Sequence, residues 1–151
     1  MILLDTNVLS ELMRIKPEQS IILWMDSYDY KELGITSITV AEILYGIGLL
    51  PAGHKKQRLI EAARMLFEQD FNHRIFSFDQ LAAVEYADIV LRRDKLGKPI
   101  SMPDAQIASI CRVFEYSLAT RNIKDFENVS VTLINPWEAL PGTFSTKEHV
   151  F

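Results

Sequence analysis

Short apolar runs alternate along this chain with stretches of helical periodicity, and that alternation constrains the fold more than any other feature. Met1-Ile2-Leu3-Leu4 ends in Asp5-Thr6-Asn7, the pattern of a buried strand feeding a turn. Val8 to Arg14 reads as a short helix. Pro17, at a first helical position, opens a second one carrying Ile21, Trp24 and Met25 at three- and four-residue spacing. Leu33-Gly34-Ile35-Thr36 suits a second strand. Thr39 then caps a helix with the stripe Val40, Ile43, Leu44 and Ile47, broken at Pro51-Ala52-Gly53, and a further helix covers about Lys55 to Gln69. Arg74 to Ser77 is a third strand, and Asp79 caps a long helix stopped at Gly97. Pro103 starts a helix with Ile107, Ala108, Cys111 and Phe114 on its inner face. Tyr116 to Thr120 and Val129 to Ile134 are the last two strands, around a helical turn near Lys124. Such a series predicts an α/β fold: a mostly parallel sheet of about five strands with helices on both faces.

The chain has 151 residues, the size of a single domain, and its 48% hydrophobic content is incompatible with disorder. We expect one domain over residues 1–138, followed by a polar, loosely ordered tail over 139–151 that Trp137 anchors. The longest apolar runs, such as Ile21 to Met25, fall far short of the ~20 residues a membrane-spanning helix needs. The first residues carry no basic segment and meet Asp5 at once, unlike a secretory signal. The lone Cys111 excludes an internal disulfide and a cysteine-built zinc site. A cytoplasmic location without membrane attachment is the expectation.

Net charge is −4, which argues against coating nucleic acid through bulk charge, but not against an enzyme that meets it locally. Bases cluster at His54-Lys55-Lys56-Gln57-Arg58 and across Arg92 to Lys98. Solvated helix faces account for both. Either cluster would track a nucleic-acid backbone if it bordered a pocket.

In a parallel sheet, ligands bind outside the carboxyl ends of the strands. Four places along the chain put acids there: Asp5 after the first strand, Glu42 after the second, Asp104 before the fourth, and Asn122 with Asp125 after the fourth. Each has a plain structural alternative. Thr39-Val40-Ala41-Glu42 fits a capping box, Asp104 suits the first turn of its helix, and Asn122-Ile123-Lys124-Asp125 has a cap-like spacing. Asp5 resists this explanation best, although it too suits a helix cap. Two carboxylates about 4 Å apart repel by ~4 kcal/mol at an effective dielectric near 20. A pocket of several therefore takes up protons or binds a cation. All-oxygen ligands select hard ions, Mg²⁺ or Mn²⁺ over zinc, and phosphate oxygens suit their open positions. Metal-assisted phosphodiester hydrolysis is one chemistry consistent with that set.

Other motifs are weak. Gly46-Ile47-Gly48 lacks the third glycine of a dinucleotide loop, and there is no P-loop and no Gly-x-Ser-x-Gly elbow. His54, His73 and His149 share no ligand spacing. An aspartyl-phosphate phosphatase would also use Asp5, but Asn7 stands where a second Asp is usual.

Residues Met1 to Glu11, Ser37 to Gly46, Pro103 to Ala108, Ala119 to Phe126 and Asn135-Pro136-Trp137 resemble the motifs of PIN-domain ribonucleases. The likeness is to the VapC toxins of bacterial toxin–antitoxin pairs, and within them to the FitB-like group, from residue 1 to about 138. It implies an α/β/α sandwich, commonly a homodimer, whose acids bind Mg²⁺ or Mn²⁺ and cleave RNA to leave a 5′-phosphate. Asp5, Glu42 and Asp104 fall on three acidic positions of that family and are the implied metal ligands. The fourth acidic position holds Asn122, and Asp125 one turn later either restores the charge or acts through water. Thr6, Asn7 and Thr120 match pocket-lining polar residues, and Arg121 beside them faces phosphate or solvent. The resemblance also implies an inhibiting antitoxin that presents Arg or Lys to the acids from a groove. The Ile21–Met25 and Val40–Ile47 helices offer a seat for it, and core packing accounts for most of those stripes equally. A PIN-like module that binds RNA or a partner with little cleavage is the alternative.

Overall fold

A computed structural model describes residues 1–139. The strands are β1 (Ile2–Leu4), β2 (Leu33–Thr36), β3 (Ile75–Phe76), β4 (Ser117–Ala119) and β5 (Leu133–Ile134). The helices are α1 (Thr6–Leu12), α2 (Gln19–Asp26), α3 (Ser37–Gly48), α4 (His54–Met65), α5 (Gln80–Lys95) and α6 (Met102–Phe114). All pairings are parallel and the sheet order is β3-β2-β1-β4-β5. The chain therefore builds outward from β1 to β3, then returns through α5 and α6 to lay β4 on the other side of β1.

Side-chain alternation along each strand divides the core in two. Ile2 and Leu4 of β1, with Leu33 and Ile35 of β2, point to one face and meet Val8, Leu9, Trp24, Ile43 and Ile47 from α1 to α3. Leu3 and Leu118 point to the other and meet Ala82, Ile89, Ile107, Ala108 and Cys111 from α5 and α6. Each fully buried Leu or Ile contributes roughly 1.5–3 kcal/mol of transfer free energy, so the sheet is held from both sides. The expected α/β/α sandwich is the observed architecture.

Local corrections have local causes. Pro17 does not open α2, which begins at Gln19 behind the extended Glu18. Thr39 does not cap α3; Thr36 does, its Oγ1 accepting from the Thr39 N–H at 3.1 Å. The helix thus starts three residues earlier, and Glu42 lies past the position a capping box requires. Leu44 and Phe114 stand outside the core, 52% and 40% exposed. The last strand is only Leu133–Ile134, because Asn128 and Ser130 adopt positive φ and keep residues 128–130 from extending. Of the tail expected over residues 139–151, residues 140–151 lie outside those described. Among the described residues no helix is long and apolar enough to cross a membrane.

Candidate active site

The strand order reverses between β1 and β4, and the crevice at such a switch point is where open parallel sheets bind ligands. Asp5 follows β1 directly and Thr120 follows β4 directly, and the Asp5 N–H bonds the Ala119 carbonyl at 2.9 Å. Asp5 is buried, 4% exposed. Its Oδ1 accepts from the Thr6 N–H at 2.8 Å, capping α1. Its Oδ2 accepts from the Thr120 hydroxyl at 2.7 Å and from Asn7 Nδ2 at 2.9 Å. The Thr120 hydroxyl accepts in turn from the Asn122 N–H at 3.0 Å, and Asn7 Oδ1 accepts from the Arg121 N–H at 3.1 Å. Helix α1 is thereby tied to the loop after β4 through one carboxylate.

Thr6, the first residue of α1, donates its hydroxyl to Glu42 Oε1 at 2.7 Å and so orients Glu42 from α3 toward the same end of the sheet. Asp104 sits half-buried in the first turn of α6, where the Ser101 hydroxyl accepts from its N–H at 3.3 Å. Asp125 is exposed, in a 3₁₀ turn at Ile123–Phe126, and its N–H bonds the Asn122 carbonyl at 3.0 Å. The Asn122 side chain is exposed and caps nothing.

These acids act on one another. Burial pushes the Asp5 carboxyl up to about 6, the Thr120 and Thr6 hydrogen bonds pull against it, and the charges of Asp104 and Glu42 push it further up. Asp104 also lies above its ordinary range, first through burial and then through the charges of Asp125 and Glu42, with the Ser101 hydroxyl opposing. Four carboxyls from α1's N-terminus, α3, α6 and the post-β4 turn thus share one electrostatic neighbourhood. Among the described residues, no three His, Cys, Asp or Glu side chains stand close enough to enclose an ion. The set is a shared field, not a closed cage.

Reading the sequence misses two supporting residues. Arg93, assigned to a surface cluster, is buried. It donates to the carbonyls of Lys98, Asp125 and Glu127 at 2.6, 2.8 and 2.8 Å, which fixes the turn carrying Asp125. Its signal was present, since Ala82, Tyr86, Ile89 and Arg93 repeat at helical spacing on the inner face of α5. Glu11 is likewise buried in α1 and accepts from the Glu18 N–H at 2.9 Å. Burial pushes its carboxyl up, but that bond and Arg14 outweigh it and hold it below the usual range.

Ile21 and Trp24 of α2, with Ile43 and Ile47 of α3, are spent on the core, as the structural alternative for those stripes required. A groove of about 290 Å³ lies instead between α1, α3 and α4, starting at Thr6 and Glu42. Met13, Ile47 and Leu59 line it, with Lys55 and Arg58 of the first basic cluster at its rim.

Residues 2–131 match the PIN domain. Over 140 residues the chain is 36% identical to "VapC ribonuclease Y4jK" of Sinorhizobium fredii, covering 91% of this chain and 99% of that protein. It is 37% identical to "Toxin FitB" of Neisseria gonorrhoeae over 137 residues, covering 91% and 99%. The solved structure "Structure of FitAB bound to IR36 DNA fragment" superposes with a TM-score of 0.86 at 36% identity, covering 93% of this chain and 98% of that one. With a five-stranded parallel sheet and acids gathered at its switch point, the chain belongs to the PIN-domain family.

Proposed function

We propose that this protein is a divalent-metal-dependent endoribonuclease and the toxin of a toxin–antitoxin pair, acting in the cytoplasm. The observation that carries this reading is the meeting of Asp5, Glu42, Asp104 and Asp125 at one end of the sheet, with Glu42 turned there by Thr6 and the acids acting on one another. The relatives' names, a ribonuclease and a toxin, support it. An all-oxygen set fits Mg²⁺ or Mn²⁺. Mg²⁺ keeps several waters and is bound through one or two carboxylates plus substrate phosphate. Asp5 and Asp104 would hold the ion directly and Glu42 through one of its waters, with Asp125 or Asn122 reaching it directly or through water.

When bound, such an ion supplies an acidified water and neutralises charge on the attacked phosphate. The chain's own residues do the rest. Thr120 and Asn7 fix the orientation of Asp5, and Thr6 that of Glu42. Glu42 keeps Oε2 free to take a proton as water attacks phosphorus. The P–O3′ bond breaks, leaving a 5′-phosphate, and the departing 3′-oxygen takes a proton from solvent to become the 3′-hydroxyl. The groove between α1, α3 and α4 opens onto Glu42, and it is the seat we assign to a segment of a small antitoxin. An Arg or Lys from that segment would answer the acids as a counter-charge.

The test is cleavage of single-stranded RNA with and without Mn²⁺, with Asp5→Asn and Asp104→Asn alongside. Loss of metal-stimulated cleavage in both variants is expected. Equal cleavage by all three proteins would trace the activity to a contaminant and remove the enzyme. The second reading is a PIN-like module that binds RNA or a partner with little hydrolysis. Asn122 at a charged family position favours it, and metal-independent RNA binding without cleavage would establish it.

A further inference from the structure

An acid pocket repels the polyanion it is to cleave, so a chain placed there needs a cation close by that is not already committed. Among the arginines, most are committed. Arg93 is buried on three carbonyls, Arg14 pairs with Glu11, Arg58 donates to the Met13 carbonyl, and Arg112 pairs with Glu85 and Asp88. Arg121 differs. Among the described residues its guanidinium makes no hydrogen bond and no ion pair. Its guanidinium carbon lies 5.0 Å from the centroid of the Trp137 ring, and its charge acts on Glu11 without forming an ion pair.

Placement adds to this. Arg121 follows Thr120 directly, and its N–H is held by Asn7, whose amide also bonds Asp5. The base of its side chain is therefore two hydrogen bonds from the buried carboxylate. Trp137 is itself fixed: its ring packs against the core face formed by α1 to α3, and its N–H bonds Asn135 Oδ1 at 3.1 Å. A guanidinium that rests its face on a ring leaves the N–H groups at its edge available for hydrogen bonds. Their planar fork matches two phosphate oxygens, and the ring has already removed much of the side chain's freedom.

We propose that Arg121, seated on Trp137, is the positioning residue that receives one RNA backbone phosphate at the rim of the acid site. This rests on the nuclease reading for its substrate, but its test is read separately. Single-stranded RNA binding is followed by fluorescence anisotropy in EDTA over a series of salt concentrations, and KM and kcat are measured in Mn²⁺. Removing one phosphate contact lowers the slope of log affinity against log salt by about 0.7 and weakens binding regardless of base sequence. Arg121→Ala is expected to show that change, with KM raised about tenfold, kcat within threefold and an unchanged melting temperature. Arg121→Lys should recover the slope but only part of the affinity. Trp137→Phe, which keeps a ring, should sit near wild type, and Trp137→Leu should approach Arg121→Ala. An unchanged slope in Arg121→Ala, or a loss confined to kcat and melting temperature, overturns the proposal while leaving the nuclease reading intact. Wild type that binds with the predicted slope difference yet never cleaves overturns the nuclease reading alone. Wild type that neither binds nor cleaves RNA removes both.

Discussion

The Thr120 hydroxyl donates to Asp5 Oδ2 at 2.7 Å, joining residues 115 positions apart across the β1–β4 seam. It also receives the Asn122 N–H, so one oxygen orders both an acid and the loop behind it. Thr120→Val removes a donor that pulls the Asp5 carboxyl down from its raised value. We expect Mn²⁺ affinity to fall roughly 10–100-fold, as for other supports of metal ligands. Stability should drop by about 1–3 kcal/mol from unpaired buried groups. Calorimetric Mn²⁺ titration and urea unfolding in EDTA measure the two effects, and unaltered metal affinity would contradict the assigned role.

Asp5 binds its proton more tightly when folded, at about 6, than its ordinary value of 3.8. Its stabilising contribution is therefore complete below about pH 4 and is lost as pH rises through 6. The span is worth about 3 kcal/mol. Asp5→Asn has no such proton, so in EDTA the stability of wild type minus that of the variant should fall by about this amount between pH 4 and 7. Divalent metal should restore stability to wild type only. A difference that rises with pH would show that burial does not dominate at Asp5.

Glu11 has the opposite sign. Its carboxyl is held below the ordinary 4.5, so its contribution is present above that pH and disappears as pH falls through the folded value. Glu11→Ala also strips the Glu18 N–H of its acceptor. A loss of about 1–3 kcal/mol at pH 7 is expected, shrinking at pH 3, with Glu11→Gln milder because it keeps an acceptor. Unfolding curves at the two pH values decide this.

Arg93→Ala leaves three carbonyls without their donor and frees the turn that carries Asp125. Charged hydrogen bonds of this kind contribute roughly 1.5–3 kcal/mol each. We expect a melting temperature lower by about 10 °C, and weaker Mn²⁺ binding at temperatures where the variant remains folded. A variant that melts near wild type would place Arg93 outside the core network.

Strand identity was legible because each strand is short, apolar and closed by a polar turn; Leu33–Thr36 is observed as read. Asp79 and Ser101 cap their helices as their types suggest. Thr36 and Thr39 show where reading by type stops. Both are cap-forming residues three apart, and only the end of β2 decides which one leaves the strand in extended geometry. Likewise the acids can be picked out by position after strands, but Glu42 was ambiguous until Thr6 supplied a partner 36 residues away. Arg93 and Glu11 were missed for a related reason. A charged residue reads as solvent-facing unless its distant carbonyl or amide partners are known, and those are set by tertiary packing.

The seam between β1 and β4 carries a consequence for biosynthesis. Asp5 is synthesised more than a hundred residues before the hydroxyl that orders it and the strand that flanks it. Until Ser117–Ala119 docks alongside Ile2–Leu4, the nascent polypeptide has no assembled acid pocket, so any hydrolytic power is withheld from the very machinery producing it.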